Sequence, residues 1–217
     1  MAAAAVLASA LRLPATTDPV RFVALLGVAV ITSRLKVKLP GMKANMSISL
    51  PFLLLASAQM PLLHTLVIAV AATVAQSISR EWSPIKLVQM LFNVSTVVLA
   101  ITSAYGVQRE VRLADRGVLL LLVGTAAYLL VNTALVAGIV SLTSEQNLGK
   151  TWSSIFSLTY LYYVLSAGIA AVMLGFGIRG SVLLLTLAVV YGAYRSFQLY
   201  FVTMSSRLVP QMAGAGD

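Results

Sequence analysis

The sequence has no cysteine and a single histidine among its 217 residues. Without cysteine there can be no disulfide, thiolate metal ligand or thiol nucleophile, and one imidazole cannot build a histidine metal site. We therefore expect no metal and no other cofactor. Acidic residues are also few, and all fall outside the apolar runs, at Asp18, Glu81, Glu110, Asp115, Glu145 and Asp217. The apolar runs thus lack the carboxylates that proton relays and many ion-coupled carriers use.

What the chain does contain is apolar sequence. Hydrophobic residues make up 59% of it and charged residues 10%, with a mean hydropathy of +0.95. This composition predicts an all-α, polytopic integral membrane protein of six to seven transmembrane helices rather than a globular domain. We expect a single membrane domain over residues 1–217 without a cytoplasmic output domain. It comprises an N-terminal interfacial segment (1–19), a helical bundle (20–206) and a short tail (207–217).

Turn-forming and charged residues divide the bundle into seven apolar helices, one of them short. We predict these helices at Val20–Ser33, Ser47–Gln59, Pro61–Ser79, Ile85–Val107, Gly117–Leu142, Trp152–Phe176 and Ser181–Met204.

The stretch from Met46 to Arg80 organises the rest of the chain. It holds about 32 uncharged residues, which at roughly 1.5 Å per residue would form a helix of about 48 Å, against a hydrocarbon core of about 30 Å. The stretch must therefore turn. Pro61 removes a backbone donor and disfavours helical geometry at Met60, so we predict a broken hairpin in which a short helix ends at Gln59. Such breaks need protein or a water-filled cavity around them, and this is where solutes bind.

The net charge of +9 is attributed to membrane topology, and no nucleic-acid partner is expected, because the basic residues sit in short loops between apolar runs. The loop over residues 34–43 carries four basic residues and no acid. Lysine and arginine in short loops favour the cytoplasmic side. We therefore predict a bacterial inner-membrane protein with its N-terminus outside and its C-terminus in the cytoplasm.

Neutral polar residues recur on faces of two predicted helices. Gln89 and Asn93 are four residues apart on one helix, and Tyr128 and Asn132 are four apart on the next. Because an amide facing lipid leaves its hydrogen-bonding groups unpaired, we expect both faces to look inward. Two interpretations remain open for the asparagines: hydrogen bonds between helices, or contact with a ligand.

Further candidate ligand-binding residues are Tyr163, and Tyr191 and Arg195 in the last span. Arg195 either reaches the cytoplasmic interface by snorkelling or is the one positive charge of an interior cavity that also contains Asn93 and Asn132. His64, beside the predicted break, is either an interfacial or hydrogen-bonded histidine or a further ligand contact.

No catalytic residue is predicted. The serines lack the G-x-S-x-G context of a nucleophile elbow, and the histidine and acid counts leave little for metal-assisted chemistry. We therefore expect the protein not to be an enzyme.

Four segments carry a resemblance to a known family: LPGMKANMSISLPFLLLASAQMPLLHTLVIAVAATVAQ, LFNVSTVVLA, YLLVNTALVAGIVSLTSEQNLGKTW and YGAYRSFQLY. Together they resemble the integral-membrane, MASE-like N-terminal module of bacterial HD-GYP and GGDEF signalling proteins, across roughly residues 38–200. The resemblance implies a sensory role upstream of a signalling partner.

The short helix, proline break and long helix are also similar to the substrate-binding S component of energy-coupling-factor vitamin transporters, where Gly-Pro is usual in place of Met60-Pro61. This second resemblance implies a transport subunit with an ATPase partner. Both imply a small or amphiphilic ligand held between helices in the lipid bilayer, without chemistry performed on it. A scaffold or assembly subunit of a membrane complex is the remaining alternative.

Overall fold

The computed structural model describes residues 18–38, 45–78, 84–110 and 117–177, with residues 181, 182, 184–192, 194–196 and 199 beyond them. Most of the predicted interfacial segment and all of the predicted tail lie outside the described residues. The elements are α1 (Pro19–Ser33), β1 (Lys36–Lys38), β2 (Asn45–Ser47), α2 (Leu50–Gln59), α3 (Leu62–Ser77), α4 (Pro84–Glu110), α5 (Gly117–Ser144) and α6 (Leu148–Phe176). The described positions from 181 to 199 are also helical.

Three of the described helices are long and apolar enough to cross a membrane. They are α4, over its residues Lys86–Glu110, and the whole of α5 and α6. The other apolar helices, α1, α2 and α3, have 15, 10 and 16 residues. At roughly 1.5 Å per residue they are about 15–24 Å long, shorter than a hydrocarbon core of about 30 Å. The prediction of a helical membrane protein is thus supported by three candidate spans in the described part of the chain.

The outer surface of α5 and α6 carries large apolar side chains. On α5, Leu122 and Leu130 are each 50% exposed, and on α6 Val164 and Val172 are 59% and 57% exposed. Large aliphatic side chains repeated on the outside of long helices would form an unusually large apolar surface in water, whereas lipid is their natural solvent. The exposed side chains therefore agree with the span lengths.

The short helix α2 forms the centre of the fold. Every residue from 50 to 57 is buried, and Phe52, Leu54 and Leu55 are completely so. Helices α1, α3, α4, α5 and α6 all contact it. A helix that is hydrophobic all round is either enclosed by protein or exposed to lipid, and α2 is enclosed by the five helices around it.

The break between α2 and α3 lies where the sequence predicts it. Met60 has extended backbone angles (φ −115°, ψ 157°) and is 2% exposed. Pro61 (φ −57°, ψ 151°) precedes α3 instead of opening it. The buried Thr65 hydroxyl bridges the break, because its Oγ1 lies 3.1 Å from the Ala56 carbonyl oxygen of α2 and 3.2 Å from that of Pro61. The Ala56 carbonyl also keeps its helical partner, the Met60 amide at 2.8 Å, so the Thr65 hydroxyl adds a side-chain hydrogen bond that ties α3 to the end of α2.

We expect Thr65→Val to lower the free energy of unfolding by about 1 kcal/mol, because it removes a buried hydrogen bond while keeping the side-chain shape. Thr73→Val is the matched control. The Thr73 hydroxyl donates to the Ala69 carbonyl of its own helix, so its loss leaves the contact between α2 and α3 intact. Thermal unfolding of the two purified variants measures the difference, and equal losses would show that the bridge across the break has no special role.

The basic loop after α1 contains a short β-hairpin that the sequence does not predict. Strands β1 and β2 pair antiparallel, with Lys36 directly opposite Ser47. The Ile48 amide also donates to the Leu35 carbonyl at 3.3 Å. Because Asn45–Ser47 is a strand, α2 begins at Leu50, three residues later than the predicted Ser47.

Candidate functional site

A cluster of tyrosines and one asparagine lies between α5 and α6. Tyr128 and Asn132 are one helical turn apart on α5, and Tyr162 and Tyr163 are adjacent on α6. The α5–α6 turn brings the two helices together as antiparallel neighbours, with the Asn147 side chain accepting from the Lys150 amide at the start of α6. We call these four residues the tyrosine cluster.

The cluster is held by one hydrogen bond and several ring contacts. The Asn132 amide nitrogen donates to the Tyr163 hydroxyl at 2.7 Å. The Tyr163 ring centroid lies 5.9 Å from that of Tyr128 and 5.5 Å from that of Tyr162. Tyr128 and Tyr163 are buried, while Asn132 and Tyr162 are half-buried. Three of the sequence-predicted ligand residues, Tyr128, Asn132 and Tyr163, are thus brought together.

Tyr162 connects the cluster to the beginning of α2. Its hydroxyl donates to the Ser47 carbonyl at the end of β2. Next to this bond, the hydroxyl oxygens of Ser47 and Ser49 are 2.9 Å apart. Sequence reasoning did not point to Ser47 or Ser49, and of the neighbouring tyrosines it retained Tyr163 as a site residue and not Tyr162. Tyr162 and Tyr163 point about 100° apart on a helix, so only the packing decides which of them meets α5 and which meets α2.

This meeting point lies halfway along the long helices. Tyr162 is the central residue of α6, which runs from Leu148 to Phe176. Tyr128 and Asn132 flank the middle of α5, which runs from Gly117 to Ser144. Neutral polar groups and the residues just before the short buried helix α2 therefore converge at the middle of two candidate membrane spans.

A second hydrogen bond joins α5 and α6 nearer their turn. The Trp152 indole nitrogen donates to the Thr133 hydroxyl at 3.1 Å. Beside it, Ala134, Leu148, Gly149 and Trp152 line an apolar surface groove of about 310 Å³. Along α6 the groove is about three helical turns from Tyr163, whereas on α5 its Ala134 wall is the second residue after Asn132.

Gln89 and Asn93 do not face the interior, contrary to the prediction from their spacing. Both are exposed on α4, whereas Thr96, on the next turn, is 3% exposed. None of the described side chains of α4 before Thr96 is buried. The first turns of α4 therefore lie at the edge of the bundle, with Val94 packed against the core and both amides on the outer face.

Tyr191 and Arg195 are exposed in the C-terminal helical stretch. The Tyr191 ring lies 6.3 Å from that of Tyr194. The predicted common interior of Arg195, Asn93 and Asn132 is not formed, since Asn132 bonds to Tyr163 while Asn93 and Arg195 are exposed. No ion pair joins Arg195 to a carboxylate in the part of the chain that the structure describes, and a long basic side chain can reach a polar interface on its own.

His64 lies in the first turn of α3, as the sequence places it. It is half-buried, and its ring meets that of Phe22 of α1 edge-on at a centroid distance of 5.0 Å. This contact lies on the α1–α3 side of the bundle, apart from the tyrosine cluster on α5 and α6. Among the described residues, no group of three or more histidine or acidic side chains could hold a metal ion.

Comparisons with protein-family models, with curated proteins and with solved structures give no match for this chain.

Proposed function

We propose that this protein is a non-catalytic membrane protein that binds a small or amphiphilic ligand at the tyrosine cluster. The observation that carries the proposal is the convergence of Tyr162, Tyr163 and Asn132 on the start of α2, halfway along two long apolar helices. Ligand sites built from interrupted helices near the middle of the membrane are a recurring feature of transporters.

The cluster offers hydrogen bonding beyond what its own contacts use. An asparagine side chain has two N–H donors and an oxygen with two lone pairs, and the bond to Tyr163 uses one donor. Asn132 and Tyr162 are only half-buried, so a ligand can reach this side of the cluster. The aromatic faces of Tyr128 and Tyr163 supply apolar contact area next to the amide.

The proposal includes six to seven spanning helices in a bacterial inner membrane, with the N-terminus outside and the C-terminus in the cytoplasm. Within it, a sensory module acting through a signalling partner is our first choice. A substrate-binding subunit that works with an ATPase partner is the alternative. Both roles use the same ligand site, and they differ in whether binding leads to net transport.

A second candidate function, assembly subunit of a membrane complex, is favoured by Gln89 and Asn93. Both amides are exposed near one end of a helix of spanning length. An amide in contact with lipid lacks hydrogen-bond partners, whereas a neighbouring helix can supply them. A membrane partner covering the beginning of α4 would satisfy both residues.

The test is native mass spectrometry of the protein purified in mild detergent, with Asn132→Leu as the variant and Asn93→Leu as the matched control. Both substitutions replace an amide by an apolar group of similar size. We expect a co-purified small molecule in the native protein, at least tenfold less of it in Asn132→Leu, and an unchanged amount in Asn93→Leu.

The same spectra separate the two functions. Loss of a protein partner in Asn93→Leu, with no small molecule on any variant, would favour the assembly subunit and reject the ligand site. Retention of the small molecule by Asn132→Leu would also reject the tyrosine cluster as its site.

A further inference from the structure

Lys36 lies beside the polar end of α2. In the hairpin its Cα is paired with that of Ser47, and directly opposite residues of antiparallel strands project their side chains to the same face, with Cβ atoms about 4.5–5.5 Å apart. Ser47 is the residue whose carbonyl accepts from Tyr162 and whose hydroxyl contacts Ser49. The hairpin therefore brings a cation to the proposed ligand site.

This cation has no acidic partner within the described ranges. Lys36 is half-buried and makes no ion pair there. Of the acids in those ranges, Asp18 pairs with Arg21 at 3.4 Å, and Glu110 and Glu145 are exposed at helix ends. A partly buried ammonium is stabilised by an opposite charge, and the rest of the site consists of neutral hydroxyl and amide groups.

The neighbouring groups are hydrogen-bond donors. The contact between the Ser47 and Ser49 hydroxyls uses one of their two protons, so the other is free to donate. Ser49 precedes α2 and is 4% exposed, but its side chain does not cap the helix. The positive end of the α2 dipole adds to the charge of Lys36. A cation, a hydroxyl donor and a helix N-terminus together favour a negatively charged ligand.

We propose that Lys36, Ser47 and Ser49 bind the anionic group of the ligand, a phosphate or a carboxylate, while the tyrosine cluster contacts its remainder. This inference rests on the proposed ligand-binding function and adds the charge class of the ligand. The anion can belong to a free solute or to a lipid whose headgroup enters the bundle beside α2, since both present the same chemistry to the lysine.

The experiment measures thermal unfolding of the full chain in a neutral detergent. One series adds inorganic phosphate at constant ionic strength, and a second adds phosphatidylglycerol or phosphatidylcholine. Lys36→Met is the test variant. Lys150→Met is the matched control, because Lys150 is an exposed lysine in the first turn of α6. We expect an anion to raise the unfolding temperature of the native protein and of Lys150→Met. For the same rise, Lys36→Met should need an anion concentration at least tenfold higher.

If inorganic phosphate raises the unfolding temperature, a free anion is sufficient for binding. If only phosphatidylglycerol raises it, the anion belongs to a lipid headgroup. Equal responses of Lys36→Met and Lys150→Met, or no response of the native protein to either anion, would overturn the proposal. Should Lys36→Met not fold, Ser49→Ala replaces it, and we expect a weaker anion response of several fold. A small molecule retained equally by the native protein and Lys36→Met, but lost from Asn132→Leu, would refute the anion site and leave the ligand-binding function standing.

Discussion

Phe52→Ala is expected to lower the free energy of unfolding by about 3 kcal/mol. Phe52 is completely buried in α2, which five helices surround, so little can collapse into the space left by its ring. Phenylalanine truncations in water-soluble cores cost about 3–5 kcal/mol. We expect the lower end of this range because the side chain contacts lipid and not water when the helices separate. The hydrophobic contribution is then small, and the loss of packing contacts accounts for the cost.

Leu91→Ala provides the control for this experiment. Leu91 is a large apolar residue of α4 that is 56% exposed, so its truncation removes contact with the surroundings and leaves the core intact. Thermal unfolding in detergent should show a change near zero for Leu91→Ala. Similar losses for both variants would mean that α2 is not the packed centre of the protein.

The second large effect is expected at the contact between α4 and α5. A methyl group added to Gly124 would overlap the Gln108 amide nitrogen and lie 2.9 Å from the Gln108 Cγ. Gln108 is 8% exposed, and neither of its amide atoms has a hydrogen-bond partner among the described residues. We expect Gly124→Ala to cost about 2 kcal/mol because the Gln108 Cδ and Cγ, and not only its terminal amide, must shift away from the added methyl group.

Gln108→Met should have the opposite sign and stabilise the protein by about 1–2 kcal/mol. It keeps the length of the side chain and removes a buried amide whose hydrogen-bonding capacity is unused. The contact can also be tested by a double-mutant cycle of Gly124→Ala and Gln108→Ala. The Gln108→Ala change clears the space that the methyl group of Gly124→Ala needs. Thermal unfolding is measured for the native protein, the two single variants and the double variant. We expect the double variant to lose less free energy of unfolding than the two single variants lose in sum. Strict additivity would show that the two residues do not touch.

Gln108 also illustrates what sequence reasoning missed. The sequence assigns it to the charged loop after the predicted helix Ile85–Val107, but α4 continues to Glu110 and Gln108 is buried against α5. A glutamine next to charged residues is more often solvated than buried. Its burial depends on the absence of a side chain at Gly124, a residue that lies on a different helix.

Local chemistry was sufficient for the class of the protein and for the position of the break. Pro61 lacks a backbone donor and restricts Met60, so α2 ends at Gln59 whatever surrounds it. Long uncharged runs likewise predicted α4, α5 and α6, whose observed bounds differ from the predicted ones by no more than about four residues at either end. Asn147, which caps α6, explains why that helix starts at Leu148, before the predicted Trp152.

Tertiary structure alone decided which faces of these helices meet. A helix that is apolar on all sides carries little signal for its orientation, and so Gln89 and Asn93 could be expected inside although both are exposed. The pairing of Lys36 with Ser47 and the bond from Tyr162 to Ser47 depend on contacts between residues distant in the chain. Residue types and intervals along the chain therefore determined the helices and their break. The composition of the candidate site followed from the packing around α2, because helix periodicity specifies a face but not the neighbour that the face meets.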